Sequence, residues 1–273
     1  MQRNKIRQYY DATEIEANRL ELDIFKLEGI RTKAIIERYL TAKQLAILDI
    51  GGGAGYYAFW LQGKGHSVSL VDLSPRNIEL VAKHASAAIP LTSAAVGDAV
   101  QLDFGDEQFD LVLLLGPLYH LTDRGERVRA ISEAKRVLKP GGILLSAVIS
   151  RYASLIDGFQ RDLVTDDRFF SLLKHDLKTG EHLNATDNPE YFTTAYFHTP
   201  QEIRAEITEA GMQIEKLIPV ESFGWIANKF SEKEKDPGYM QKLMEIIGMV
   251  EANEDLLAIS PHIIVAARKG LVD

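Results

Sequence analysis

Of the five residues 51–55, four are glycine, and they follow an apolar run: Leu45–Ile50 leads into Gly51-Gly52-Gly53-Ala54-Gly55. Glycine at a strand-to-helix turn reaches positive φ and lets backbone approach a ligand closely. The next helix offers unpaired N–H groups and a partial positive charge. A second apolar run, Val68–Asp72, ends in an acid that can accept hydrogen bonds from two ribose hydroxyls. Asp72 alone does not choose between nucleotide families. A pyrophosphate loop of the G-x-G-x-x-G kind would put its third glycine at Tyr56, where a tyrosine obstructs helix–strand packing. The spacing is instead acid-x-G-x-G-x-G from Asp49. Further on, Gly116-Pro117-Leu118-Tyr119-His120-Leu121 comes after the apolar run Phe109–Leu115. An imidazole titrating near neutrality suits proton removal, and a tyrosine face can meet a cation.

These groups need a scaffold, and the hydrophobic patterning supplies one. The first 40 residues read as helices, with Gly29 as the break between two of them. Short apolar runs then alternate with helical patterns: Leu45–Ile50, Val68–Asp72, Ala94–Val96, Phe109–Leu115 and Ile143–Ile149 as strands. Helices fill the gaps at Ala54–Gln62, from Ser74-Pro75 toward Ala88, and at Asp123–Leu138. Strands apolar on both faces and separated by helices imply a parallel sheet covered on both sides, an α/β doubly wound domain. Residues 151–197 break the rhythm, rich in aromatics and charge with no clear strand, and read as an insertion. Thr199-Pro200 starts another helix, Met212–Val220 and His262–Ala267 are late strands, and 222–257 is a helical excursion.

The glycine loop resembles motif I of the class I S-adenosylmethionine-dependent methyltransferases. Gly97-Asp98-Ala99, Leu102-Asp103-Phe104 and Phe109-Asp110-Leu111 are similar to that family's G-D-A-x-x-L-P-F…F-D pattern, with Asp103 where proline is frequent. Arg136-Val137-Leu138-Lys139-Pro140-Gly141-Gly142 resembles its R-x-L-K-P-G-G turn, which shapes the sheet. The ordered set covers residues 45–150 continuously. The resemblance implies a Rossmann-like, seven-stranded, mostly parallel sheet with its last strand antiparallel. It implies S-adenosylmethionine as cofactor, contacted by Asp49, Gly51, Gly52, Gly53, Leu73 and Leu115. Asp72 would hold the ribose, Asp98 would receive the adenine amino group, and Ala99 would lie beside the ring. Tyr9-Tyr10-Asp11 and Asn18-Arg19-Leu20 look like an N-terminal arm over the cofactor, with Arg19 pairing its carboxylate. Tyr119 and His120 fall where the family contacts its acceptor, with His120 as the candidate base. The implied organisation is an arm over 1–44, a cofactor core over 45–150, a lid over 151–197 and the rest of the core over 198–273. The excursion at 222–257 either closes the pocket from its other side or carries a homodimer contact.

Composition narrows the partners. The 273 residues contain no cysteine, which excludes disulfides, thiolate metal sites and cysteine nucleophiles. Net charge is −8, which repels phosphate backbones and disfavours a nucleic-acid partner. No window approaches the roughly 20 apolar residues of a membrane helix, so a cytoplasmic enzyme acting on a small-molecule methyl acceptor is expected. No H-E-x-x-H spacing occurs, and no metal is expected. Two other readings compete: an NAD(P)-dependent oxidoreductase, disfavoured by Tyr56, and a non-catalytic S-adenosylmethionine-binding module.

Overall fold

The computed structural model describes residues 25–85, 90–186, 188–227 and 230–271. Arg19 and the rest of the expected arm, Tyr9 to Leu20, lie outside them. Helix α1 (Phe25–Glu37) leads to β1 (Ala46–Ile50). Gly29, expected to break a helix, is instead a buried position inside α1. Tertiary burial there outweighs a propensity cost of about 1 kcal/mol. Next come α2 (Tyr56–Gly63), β2 (Ser67–Asp72), α3 (Pro75–Ala85), β3 (Ser93–Val96), β4 (Phe109–Leu114), the short α4 (Pro117–His120) and α5 (Arg124–Val137). Ser74 starts α3 as the sequence suggests, its Oγ accepting from the Asn77 N–H at 3.2 Å, with Pro75 as first helical residue.

Strand β5 (Leu138–Ser150) contains the Lys139-Pro140-Gly141-Gly142 turn as an irregularity: Phe109 of β4 pairs with Leu138, and Leu111 with Ile143. The chain continues through α6 (Ala153–Gln160), α7 (Asp167–Thr179), β6 (Glu181–His182), β7 (Ala195–His198), α8 (Pro200–Glu209), β8 (Gln213–Pro219), α9 (Phe230–Lys233), α10 (Pro237–Val250) and β9 (His262–Arg268).

The core sheet runs β3-β2-β1-β4-β5, then β9 and β8 beyond β5. These seven strands are parallel except β9, which opposes both its neighbours. Strands β7 and β6 add a ribbon: β7 lies parallel to Ile149 and Ser150 of β5, and β6 lies antiparallel to β7. The stretch 151–197 therefore contains strands, contrary to its sequence reading. Two- and four-residue strands are too short for alternation to reveal. Leu48, Val112 and Leu114 face one apolar layer, while Ile47, Leu111 and Leu113 face the other. Both faces are thus covered. No helix among the described residues is long and apolar enough to cross a membrane.

A buried ion network fixes the segment between α4 and α5. Arg127 on α5 and Glu206 on α8 are each 1% exposed, with 2.7 Å between Nη2 and Oε1. Arg127 Nη1 also donates to the carbonyls of Leu121 and Thr122 at 2.8 and 2.9 Å, and its guanidinium lies 3.8 Å over the Tyr196 ring. Glu206 reaches His198 Nε2 at 3.3 Å, while burial keeps the His198 imidazole below its ordinary titration range. His198 is thus structural, as the turn before Thr199-Pro200 suggests. Removing one partner leaves a buried charge uncompensated. Arg127→Ala should lower stability by about 3–5 kcal/mol in urea unfolding, and the double apolar replacement Arg127→Met with Glu206→Leu should recover most of it. Equal stability of wild type and Arg127→Ala would contradict this.

Candidate active site

The glycine loop leaves β1 at the carboxyl edge of the sheet. Its first turn is dictated by crowding: a Cβ at Gly51, where φ is +69°, would lie 2.6 Å from Pro117 Cγ. At Gly52 a Cβ would lie 2.7 Å from both Asp49 Oδ2 and Leu70 Cδ1. Gly53 differs. Its φ is +56°, yet a Cβ there would meet nothing within 4 Å. The loop is thus packed against protein at Gly51 and Gly52 and faces open space at Gly53. The Gly51 N–H donates to Val71 O at 2.7 Å, and the Gly53 N–H to Asp72 Oδ2 at 2.9 Å.

Asp72 is 8% exposed and organises the neighbourhood. Its Oδ1 accepts from the Ser74 N–H and the Asn77 amide, both at 2.9 Å. Each carboxylate oxygen has two acceptor positions, so these bonds are compatible with a further donor on Oδ2. The Asp72 carbonyl accepts from the Gly97 N–H at 2.9 Å, which sets Asp98 and Ala99 just beyond β3. Asp98 Oδ1 accepts from the Val100 N–H at 3.1 Å, closing a tight turn, and Ala99 is buried. Leu73 and Leu115, half-buried, flank the carboxyl ends of β2 and β4.

Asp49 is 1% exposed, and its Oδ2 is buried with no hydrogen-bond partner among the described residues. Burial, with the nearby charge of Asp72, pushes its carboxyl up to about 7. An orphaned acid oxygen beside a glycine loop fits a ligand that brings a donor or a positive charge. The residues present therefore fit the cofactor that the sequence resemblance implies.

Helix α4 leaves β4 at the same edge. Tyr119 and His120 are both buried, their ring centroids 4.6 Å apart, and Phe192 from the insertion lies 6.0 Å from His120. The N-cap of α5 is Asp123, which accepts from the Glu126 N–H at 2.8 Å. Phe192 itself holds φ at +65°. Its carbonyl accepts from Asn184 Nδ2, and His182 spans Asp176 Oδ2 at 2.8 Å and the Tyr191 carbonyl. A residue held in this region costs about 1–3 kcal/mol and persists only where its surroundings over-determine it. The sequence offers no local signal for Phe192 because its partner is some seventy positions away. Of the insertion's other aromatics, Phe169 and Tyr191 are buried, while Phe159 and Phe170 are exposed.

Metal-ligand spacing in the sequence also misses a buried group that no local motif encodes. Glu28 of α1, Glu221 after β8 and His262 of β9 bring their ligand-type atoms within 4.8 Å of one another. Helix α1 borders the loop too, with Lys33 Nζ 4.1 Å over the Tyr56 ring.

Comparison with known proteins agrees with this geometry. Residues 48–146 match the family model described as a methyltransferase domain. A ubiquinone biosynthesis O-methyltransferase of Azorhizobium caulinodans is 29% identical over 175 residues, covering 64% of this chain and 61% of that protein. The Caulobacter vibrioides protein of the same name is 34% identical over 108 residues, covering 39% and 42%. The chain thus spans less than two thirds of these relatives' length. A solved S-adenosylmethionine-dependent methyltransferase from Methanosarcina mazei shares the fold, with a TM-score of 0.58 and 23% identity over 87% of this chain and 98% of that one. The glycine loop and Asp72 lie within the matched residues 48–146, so this part of the chain is a methyltransferase domain, and these likenesses support a class I S-adenosylmethionine-dependent methyltransferase.

Proposed function

We propose that this protein transfers the methyl group of S-adenosylmethionine to a small-molecule acceptor at the carboxyl edge of the sheet. The observation that carries the reading is the loop tied to Asp72 beside the unpartnered oxygen of Asp49. When bound, the cofactor supplies a methyl group already activated by its sulfonium. The chain's task is then to hold, orient and exclude water. In this reading Gly51, Gly52 and Gly53 bring backbone against the donor, and Asp72 accepts from the ribose. Asp98 receives the adenine amino group beside Ala99, while Leu73 and Leu115 supply apolar walls. Asp49 faces the donor's positive charge. Arg19, in the N-terminal arm, keeps its expected pairing with the donor's carboxylate. Tyr119 and His120, backed by Phe192, form the acceptor-side wall, and the insertion 151–197 acts as a lid. A net charge of −8 favours a neutral or cationic small acceptor, reached in the cytoplasm, over a nucleic acid. The named relatives support an oxygen acceptor.

Asp72→Ala should weaken cofactor binding by about 1–3 kcal/mol, the cost of leaving buried polar groups unpaired. Calorimetric titration of a variant with native circular dichroism checks this; unchanged affinity would remove the ribose assignment.

Asp49 makes a pH prediction. Its folded pKa lies above the unfolded value near 3.8, so the folded state holds a proton that the unfolded state has lost. This group's contribution to the stability of the unliganded protein therefore falls as pH rises from about 4 to about 7, and is flat above. Asp49→Asn should remove that part of the slope in urea unfolding across this window. A cationic ligand lowers the Asp49 pKa, so wild type should release a proton on binding S-adenosylmethionine near pH 6.5, seen as buffer-dependent enthalpy, and the Asn variant should not. Identical proton release in both would refute the placement.

A further inference from the structure

The stretch that carries Phe192 is held by its own neighbours in the insertion. The Tyr191 hydroxyl donates to Asp166 Oδ2 at 2.7 Å, at the N-cap of α7, and the Tyr191 carbonyl meets His182 Nε2. The next carbonyl, that of Phe192, accepts from Asn184 Nδ2 at 2.6 Å, and Asn184 also donates to the Asn188 carbonyl at 3.0 Å. Two successive carbonyls are thus captured by side chains. That fixes the peptide planes on both sides of the Phe192 Cα, and with them its positive φ and the direction in which its side chain leaves the backbone. The ring so placed packs with Tyr119, Ile149 and Phe197, 6.0 Å from His120.

His182 is 1% exposed and Asp176 is 0% exposed. The other ring nitrogen, Nδ1, lies 2.8 Å from Asp176 Oδ2. A carbonyl oxygen only accepts, and so does an ionised carboxylate, whereas a neutral imidazole has a single N–H. A neutral ring would therefore press a lone pair against an oxygen at one of its two contacts. It would also leave Asp176 as a buried charge without a cation. The charged groups on the neighbouring elements do not relieve it: Arg151 after β5 pairs with Glu202 of α8, Arg161 after α6 with Asp157, and Arg168 with Asp166, while His175 lies 3.7 Å from Glu181. Lys174 and Lys178 of α7 are exposed.

A ring with a proton on each nitrogen meets every one of these demands. It donates to both acceptors, and with Asp176 it makes a buried pair of zero net charge that is hydrogen-bonded as well as paired. Its other neighbours suit a cation. The imidazole stacks on Phe197, with centroids 4.8 Å apart and planes at 29°, and lies 6.2 Å from Phe192. Aromatic faces attract a positive charge, the more so where water is excluded.

We infer that His182 is a positioning residue for the acceptor side: held as an imidazolium between Asp176 and the Tyr191 carbonyl, it fixes the turn that sets the Phe192 ring against His120. This rests on the acceptor-wall reading above. The two bonds place the ring, and the charge follows from both partners being acceptors. Releasing either bond frees the Tyr191–Phe192 peptide and lets Phe192 leave its strained φ. His182 itself touches neither reactant in this account; it acts through Phe192.

The test is nuclear magnetic resonance on the full-length protein carrying nitrogen-15 histidine. At about pH 8, well above the ordinary imidazole pKa of about 6.5, wild type should show His182 with a bound proton on both ring nitrogens. His182→Gln identifies these signals by their loss. Asp176→Asn, whose amide can donate to Nδ1, should leave a ring with one N–H and keep both bonds. The ring C–H signals of His120 report where Phe192 sits: His182→Gln should shift them as Phe192→Leu does, and Asp176→Asn should leave them in place. Asp176→Ala, which removes one of the two bonds, makes the same comparison if His182→Gln does not fold. A wild-type His182 with a single ring N–H, or His120 signals unmoved by His182→Gln or Asp176→Ala, would overturn the inference. Titration with S-adenosylhomocysteine is read separately and should give the same affinity in all of these proteins. Failure of wild type to bind it would strike the donor reading, while the His182 and His120 signals still decide this one.

Discussion

The bond between the Gly53 N–H and the Asp72 carboxylate joins the two halves of the proposed donor site. It ties the loop after β1 to the end of β2, and Asp72 then reaches Ser74 and Asn77 at the start of α3. Without a carboxylate there, a loop of glycines would have no reason to hold one course: each glycine lowers the cost of positive φ but raises the entropy lost on ordering. The cost of confining this loop is offset by that bond, by the Gly51 N–H to Val71 carbonyl bond, and by packing of Gly51 against Pro117. Pro117 begins α4, so the loop's shape is coupled directly to Tyr119 and His120.

The edge is organised by buried charge as much as by apolar packing. Arg127 and Glu206 fix the segment just past His120. Arg31 and Glu251 dock α1 onto the end of β8, with the Glu251 carboxyl held down at about 2 despite burial, by its bonds to Arg38, Arg31 and Lys216. Such pairs add little net stability over an apolar core, but each has strict geometry. They sit where β4, β5 and β8 end and β9 begins, the edge at which the proposed site lies.

Legibility in the sequence followed locality. The glycine loop, Asp72, the Ser74-Pro75 start of α3 and the Thr199-Pro200 start of α8 are each encoded within a few residues, and the structure has them in place. Gly29 misled because local propensity yields to burial. Strands β6 and β7 escaped because they are too short to show a pattern, and β7 is held by its pairing with the distant β5. The contact of Phe192 with His120 and the Glu28–Glu221–His262 group were invisible for a stronger reason: the topology alone brings together residues separated by dozens to hundreds of positions. The reversal of β9 was implied by the family resemblance, yet its consequence, His262 level with the end of β5, needed the register.

The proposed function requires the turn after Ile50 to take a sulfonium nucleoside and not a dinucleotide, and every role proposed at this edge depends on that. Side-by-side calorimetric titration of the purified protein with S-adenosylhomocysteine and with NAD and NADP measures it most directly. Saturable one-site binding of the thioether nucleoside is expected, with none of either dinucleotide at the same concentrations. Binding of a nicotinamide dinucleotide, with none of S-adenosylhomocysteine, would contradict it.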